Sequence, residues 1–399
     1  MRLVSLFVIF CLAGCARGVS SSPLPAQAIS PTTAWPFSSG FKTIFSFNDQ
    51  NGANPAAALI AVKGTLYGTT PNGGNASAGT VFKIAPSGAE KVLHFFGGEG
   101  DGMTPGNGAL ILLKGELYGT THFGGANGLG SVFKITTSGQ EKIVYSFGLL
   151  PDGDEPTGGL TVRNGVLYGT TELGGKDDYG AVFRLTTSGS EKVLHSFIGG
   201  RDGQFPLGAL ASVGGALYGT TEFGGTPDYG TVFKISPTGT EKIIHAFGGT
   251  VKKDGATPTG PLTAVNGQLY GTTEAQGVHS GGTVFSITTA GKEIVLHDFG
   301  GNPDGANPTD GGLTDVNGML YGTTSVGGTG YGTVFAITTK GKERVVCSFA
   351  GDSGGEYPYG GPVPLNGKLY GTTTMGGSAS SYGTVYWVTP NGLGNEQEK

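Results

Sequence analysis

The chain has 399 residues, 78 of them Gly and 21 Pro, with 13% charged residues and a formal net charge of −5. That charged share is about half the usual one, and without a basic stripe it excludes the footprint of a nucleic-acid binder. So much Gly and Pro marks a disordered chain unless the glycines recur in register, and here they do.

Residues Met1 to Cys15 carry one cation at Arg2, an apolar run from Leu3 to Leu12, and then Ala13-Gly14-Cys15. The run is too short to span a bilayer and reads as an export signal over residues 1–14. Leu12-Ala13-Gly14-Cys15 resembles a bacterial lipobox, which implies cleavage before Cys15 and lipidation of that cysteine; the alternative is an ordinary signal peptide with a free cysteine. Ala16, rather than Asp, follows the cysteine. By similarity to Gram-negative lipoproteins this implies lipid anchoring to the outer membrane of the cell envelope. Cys11 leaves with the signal and Cys15 takes the lipid, so Cys347 stands alone and no internal disulfide is expected. Residues 15–40, rich in Ser, Pro and Ala after the cysteine, form a tether.

From there the chain is organised by Leu-Tyr-Gly-Thr-Thr, which begins at Leu66, Leu117, Leu167, Leu217, Leu269, Leu320 and Leu369. The period, about 50 residues, belongs to propellers and solenoids. Each copy reads as four strands, a to d. In the copy from Pro258 to Gly305, Pro261–Val265 is strand a, Asn266-Gly267 a tight turn, Gln268–Thr273 strand b, Gly282–Ile287 strand c and Glu293–Phe299 strand d. Asn-Gly predicts a type I′ hairpin, since both of its central residues need positive φ. Seven a-b-c sets are present, but the last, ending at Thr389, has no d strand after it, while Phe41–Phe47 is a d strand with no a-b-c before it. Joining the two predicts an all-β, seven-bladed β-propeller of four-stranded antiparallel blades over residues 41–389, closed by its N-terminal strand. Residues 390–399 are a polar tail.

The period approaches that of kelch repeats, but no blade tryptophan recurs; Trp35 and Trp387 are the only two. Leu-Tyr-Gly-Thr-Thr, Gly-Thr-Val-Phe and the run Glu191–Phe197 resemble the GloVer tandem-repeat family of bacterial exported proteins over Phe41 to Thr389. The resemblance implies a surface module held by varied anchors and implies no catalytic residues.

Several stretches imitate chemistry. Gly351-Asp352-Ser353-Gly354-Gly355 matches the nucleophile motif of trypsin-like proteases, yet it occupies the d-to-a turn and lacks a histidine and orienting carboxylate. His94, His195, His245 and His297 share one slot on strand d, held elsewhere by Tyr145 and Cys347. Being in different blades they cannot share one ion, and they read as half-buried strand residues. His122 and His279 fall in loops without evident partners. The Asp-Gly pairs at Asp101, Asp152, Asp202, Asp254 and Asp304 read as turns rather than calcium ligands. Glu-Lys at Glu90, Glu141, Glu191 and Glu241 begins the outermost strand, where charge discourages edge pairing.

An enzyme is expected to break the repeat where titratable groups converge on one mouth, and this chain breaks it little. The expected function is a non-catalytic binding or interaction module for a glycan or surface protein, monomeric, without cofactor or metal. A structural surface protein and a polysaccharide-acting propeller enzyme are the alternatives. The a-to-b and c-to-d turns lie on one face, where the tether enters, and the longer b-to-c and d-to-a loops lie on the other. Candidate ligand residues on that long-loop face are Glu172, Asp177, Asp178, Tyr179, Glu222, Phe223, Asp228, Tyr229 and Glu274. They fall in copies three to five and interleave acids with aromatic rings.

Overall fold

A computed structural model describes residues 40–249, 253–377 and 381–390. The expected signal segment, Cys15, the expected tether up to residue 39 and the tail beyond Pro390 lie outside the described residues. The described chain forms seven blades, each with its strands in the order a-b-c-d. Strand a is short, as in Thr161–Arg163, whereas Val166–Thr171, Ala181–Leu185 and Glu191–Ser196 show the lengths of b, c and d in blade 3. The a-to-b turns have positive φ at both central residues, 52° and 74° at Asn164-Gly165 and 49° and 80° at Lys63-Gly64. Lys-Gly and Gly-Gly therefore make the same turn as Asn-Gly. Strand Phe41–Ser46 pairs antiparallel with Thr384–Val388 and completes blade 7. Among the described residues no helix is long and apolar enough to cross a membrane.

The repeated pentapeptide maps onto this architecture one residue at a time. Leu167 and its equivalents are fully buried, and Tyr168 is nearly so, in a core cluster shared with the next blade. Gly169 faces strand c, where an added Cβ would sit 2.6 Å from the Phe183 ring and 3.1 Å from Leu160. Only glycine leaves room for that phenylalanine. The first threonine, Thr170, donates to the backbone carbonyl of Gly208 in the following blade at 3.1 Å, as Thr120 does to Gly158 and Thr220 to Gly260. The second threonine bonds within its own blade, Thr221 to Thr231 at 2.7 Å. The motif thus carries in-blade and between-blade contacts together, which is why it recurs unchanged.

Blade-to-blade packing repeats as strictly. The phenylalanine ending strand d meets the ring on strand c of the next blade edge-to-face, from Phe96–Phe133 at 5.1 Å to Phe349–Tyr386 at 5.0 Å. Phe47–Phe82 makes the same contact at 5.1 Å across the junction of blades 7 and 1, so ring closure uses no special device. Such pairs contribute roughly 0.5–1.5 kcal/mol each beyond the area they bury.

One feature departs from four simple strands. In blades 2 and 6 the d-to-a loop forms a further strand, Gly102–Pro105 or Gly305–Pro308, against the end of a lengthened strand b, Glu116–Gly124 or Met319–Gly327. The two long loops run antiparallel there and their backbone groups satisfy one another, and blade 7 makes the same pairing where Glu356 and Pro358 lie opposite Met375 and Thr373.

Candidate functional site at the axial mouth

The d-to-a crossovers bring chain to the propeller axis. The residue before each crossover proline has positive φ, for example 54° at Glu155 and 57° at Phe205. Its N–H bonds the b-to-c loop of the preceding blade, Glu155 to the Leu129 carbonyl at 3.2 Å and Phe205 to the Tyr179 carbonyl at 3.0 Å. Beyond the proline, crossovers of adjacent blades touch backbone to backbone, where a Cβ on Gly208 would lie 2.9 Å from the Gly260 carbonyl carbon.

On the long-loop side of this inner ring, the residue following Leu-Tyr-Gly-Thr-Thr comes from each blade in turn: Pro71, His122, Glu172, Glu222, Glu274, Ser325 and Thr374. Four consecutive blades therefore present titratable groups from one structural slot. Burial raises the Glu172 carboxyl, reinforced by Glu155 and Asp310 and opposed by His122. Burial pushes Glu222 up to about 7, with further contributions from Glu172, Asp310 and Glu274. Glu274 keeps more of its surface open to water than the other two. It still lies among enough protein that desolvation, followed by Asp310, brings it to about 7. These acids share one field, and it is costly to ionise them together.

Asp310 stands at the centre of this group. Tyr359 donates its hydroxyl to the Asp310 carboxylate, and Asn107 donates to the Tyr359 oxygen at 3.4 Å, so blades 2, 6 and 7 meet near the axis. Burial, then the charge of Asp310, holds the Tyr359 hydroxyl well above its usual pKa. Asn107 and Asp310 reach inward because their crossovers are one residue longer, Pro105 to Ile111 and Pro308 to Thr314 against Pro156 to Thr161. At the next junction His122 Nε2 lies 2.9 Å from the Glu155 carboxylate, with the ring stacked on Phe123 at 4.2 Å.

The nine residues singled out from the sequence separate into two groups. Glu172, Glu222 and Glu274 face the mouth. Asp178 and Asp228 accept the N–H groups of Gly174 and Gly224, at 2.9 and 2.7 Å, and shape their own loops. Tyr179 lies beside Phe205, with ring centroids 6.2 Å apart, and Phe223 meets the same ring edge-on at 6.2 Å. Tyr229 packs against the core between blades 4 and 5. Asp177 is exposed in its loop. Glu155, Asp310, Tyr359 and Asn107 escaped the sequence reading, and His122 was noted there only as a loop residue without partners. Aligning the slot after each pentapeptide and the length of each crossover would have exposed His122, Asp310 and Asn107, and aligning the residue before each crossover proline would have exposed Glu155.

Three expectations need correction. His122 lies within strand Glu116–Gly124 and has Glu155 as partner, and His279 bonds Asp298 at 2.9 Å, so neither is unpartnered. The glutamates that begin strand d do not serve as edge charge. Glu90, Glu141, Glu191 and Glu241 each turn into the junction behind them while the following lysine faces water, and burial lifts these four, and Glu343, to about 7. They stand beside a repeated pair on the preceding blade, such as His94–Asp101 at 3.0 Å, His195–Asp202 at 3.2 Å or Tyr145–Asp152 at 2.7 Å. Asp101 also accepts from the Gly102 N–H at 2.7 Å, the turn contact expected of it. Ser353 lies exposed in a 3-10 turn, and its carbonyl accepts from Thr43. A shallow cavity lined by Met319, Ala336, Thr338, Lys342, Glu343 and Arg344 lies on the flank of blade 6, away from the mouth.

The profile of the Gloeobacter/Verrucomicrobia repeat matches residues 32–222 and again 206–396. The chain belongs to that family. No curated protein sequence matches this repeat chain. Among solved structures it is similar to virginiamycin B lyase from Staphylococcus aureus, at 16% identity over 87% of this chain and 99% of that one, with a TM-score of 0.58. Further similarities are to a protein of unknown function from Bacteroides thetaiotaomicron, at 11% identity over 88% and 75% with a TM-score of 0.47. A gluconolactonase from Xanthomonas campestris follows at 14% identity over 72% and 86%, with a TM-score of 0.45. At these identities the likeness is one of fold.

Proposed function

We propose that this repeat propeller is exported, lipid-anchored to the cell envelope through Cys15, and binds a hydroxyl-rich ligand, a glycan, at the axial mouth without transforming it. The observation that carries the reading is the convergence of Glu172, Glu222, Glu274 and Asp310 with Tyr359 and Asn107 on one opening. Carboxylates accept hydrogen bonds from sugar hydroxyls, and partly protonated ones donate as well. Exposed apolar side chains surround the same face, among them Met103, Phe123, Ile198, Val278 and Met375. Flat apolar surface beside acceptors suits a sugar ring. The tether, entering beside the start of strand Phe41–Ser46, leaves that face directed away from the membrane.

A soluble form beginning at Gly40 tests this by retention on cell-wall and plant polysaccharides. Glu172, Glu222 and Glu274 changed together to Gln should abolish retention, whereas changes at Asn75 and Ser77 in blade 1 should not. Retention by the triple variant with its fold intact would refute the site. One observation favours a second reading, an enzyme acting on polysaccharide: the departures from the repeat do converge on a single mouth and include the His122–Glu155 pair. Release of product in the same incubation, lost in Glu155→Gln, would decide for that reading.

A further inference from the structure

We infer that His122, Glu155 and Glu172 form a binding site for one divalent transition-metal ion of the zinc class at the edge of the mouth. The inference stands independently of the glycan reading. The His122 Nε2 atom and one carboxylate oxygen from each glutamate lie within 4.8 Å of one another. A metal about 2.0–2.2 Å from each ligand needs donors no more than roughly 4 Å apart, which small side-chain rotations supply. The His122–Glu155 separation is already 2.9 Å.

Three features set this triple apart from the other His and carboxylate groups of the ring. First, it arises where two slots depart from the repeat at one junction. The crossover slot reads Asn54, Thr104, Glu155, Phe205, Thr257, Asn307 and Tyr357, and the slot it meets on the preceding blade is Thr374, Pro71, His122, Glu172, Glu222, Glu274 and Ser325. Only between blades 2 and 3 does an imidazole face a carboxylate there. Second, the His-Asp-Glu triples on the flanks, such as His195, Asp202 and Glu241, recur at four junctions, and at a fifth Tyr145 replaces the histidine while keeping the bond to Asp152. A slot satisfied equally by phenol and imidazole asks for a hydrogen-bond donor, not a metal ligand.

Third, the mouth carries an excess of negative charge. Glu222, Glu274 and Asp310 crowd the same opening as Glu172, and Asp154 is next in sequence to Glu155. Its Oδ1 is buried without a hydrogen-bond partner among the described residues. A dication relieves this repulsion. The positions are also held by backbone, since the Glu172 N–H bonds the Glu155 carbonyl at 3.0 Å and the His122 ring is stacked on Phe123. An imidazole with two carboxylates selects zinc, nickel or manganese over calcium, which prefers six or more oxygens.

The test is zinc binding by the tag-free soluble form, measured by calorimetry and by melting temperature after metal removal. The wild type should bind one tight equivalent and melt higher with zinc than without it. His122→Ala and, separately, Glu172→Gln should weaken that binding at least about tenfold while leaving the near-ultraviolet dichroism of the metal-free protein unchanged. His195→Ala should leave zinc affinity intact, and a hundredfold excess of calcium should not displace the metal. Absence of zinc binding in the wild type would overturn the assignment. So would undiminished binding in His122→Ala, loss in His195→Ala, or displacement by calcium.

Discussion

The glutamates that begin strand d set a pH dependence opposite to ordinary acid unfolding. Take Glu141, Glu191 and Glu241, whose carboxyls burial lifts from 4.5 to about 7. Because the folded value lies above the unfolded one, their favourable contribution is complete below pH 4.5 and is lost as pH rises through about 7. The full shift corresponds to about 3 kcal/mol per residue, and water reaching these half-buried groups reduces it to about 1 kcal/mol each. Replacing all three by Gln keeps the shape and removes the ionisation. The three junctions share no side-chain partner, so their effects should add to about 3 kcal/mol at pH 8 and almost nothing at pH 4.5. For a chain of this size that is roughly 3–6 °C in melting temperature. Scanning calorimetry of wild type and triple variant at pH 4.5 and pH 8 measures it. An equal effect at both values, or a lower melting temperature for the variant at pH 8, would refute the reasoning. The Asp304–His297 pair does not disturb this window from the acid side: Asp304 is lowered and loses its contribution only at lower pH, while His297 is raised and loses its own in the same direction as the glutamates.

Two further outcomes concern the fold. Gly169→Ala should destabilise the propeller by about 2–3 kcal/mol in urea titration, because its Cβ must displace the Phe183 ring; a change under about 0.5 kcal/mol would mean the ring has room to yield. Starting the chain at Phe47 removes strand Phe41–Ser46 and leaves Thr384–Val388 as an open edge, so cooperative thermal unfolding should be lost or the protein should self-associate. A monomer with an unchanged melting temperature would show that ring closure does not need this strand.

The sequence by itself determined the architecture. A pentapeptide repeated seven times at a period of about 50 residues, with turn glycines in register, admits few folds. The unmatched strand at Phe41 and the missing one after Thr389 gave the closure. Glu172, Glu222 and Glu274 were legible as departures from the repeat because a carboxylate in a loop stands out against uncharged copies. Only the tertiary structure decided which departures meet. Asp310 and Asn107 lie in different blades from those glutamates and reach the axis through one added crossover residue, a difference of length that composition hides. His122 and Glu155 are 33 positions apart and become neighbours only because blade 3 packs on blade 2. The strand-d glutamates misled for the same reason. A charged residue next to lysine at the start of an outer strand reads as solvated, and its burial is created by the adjoining blade, which a single repeat does not contain.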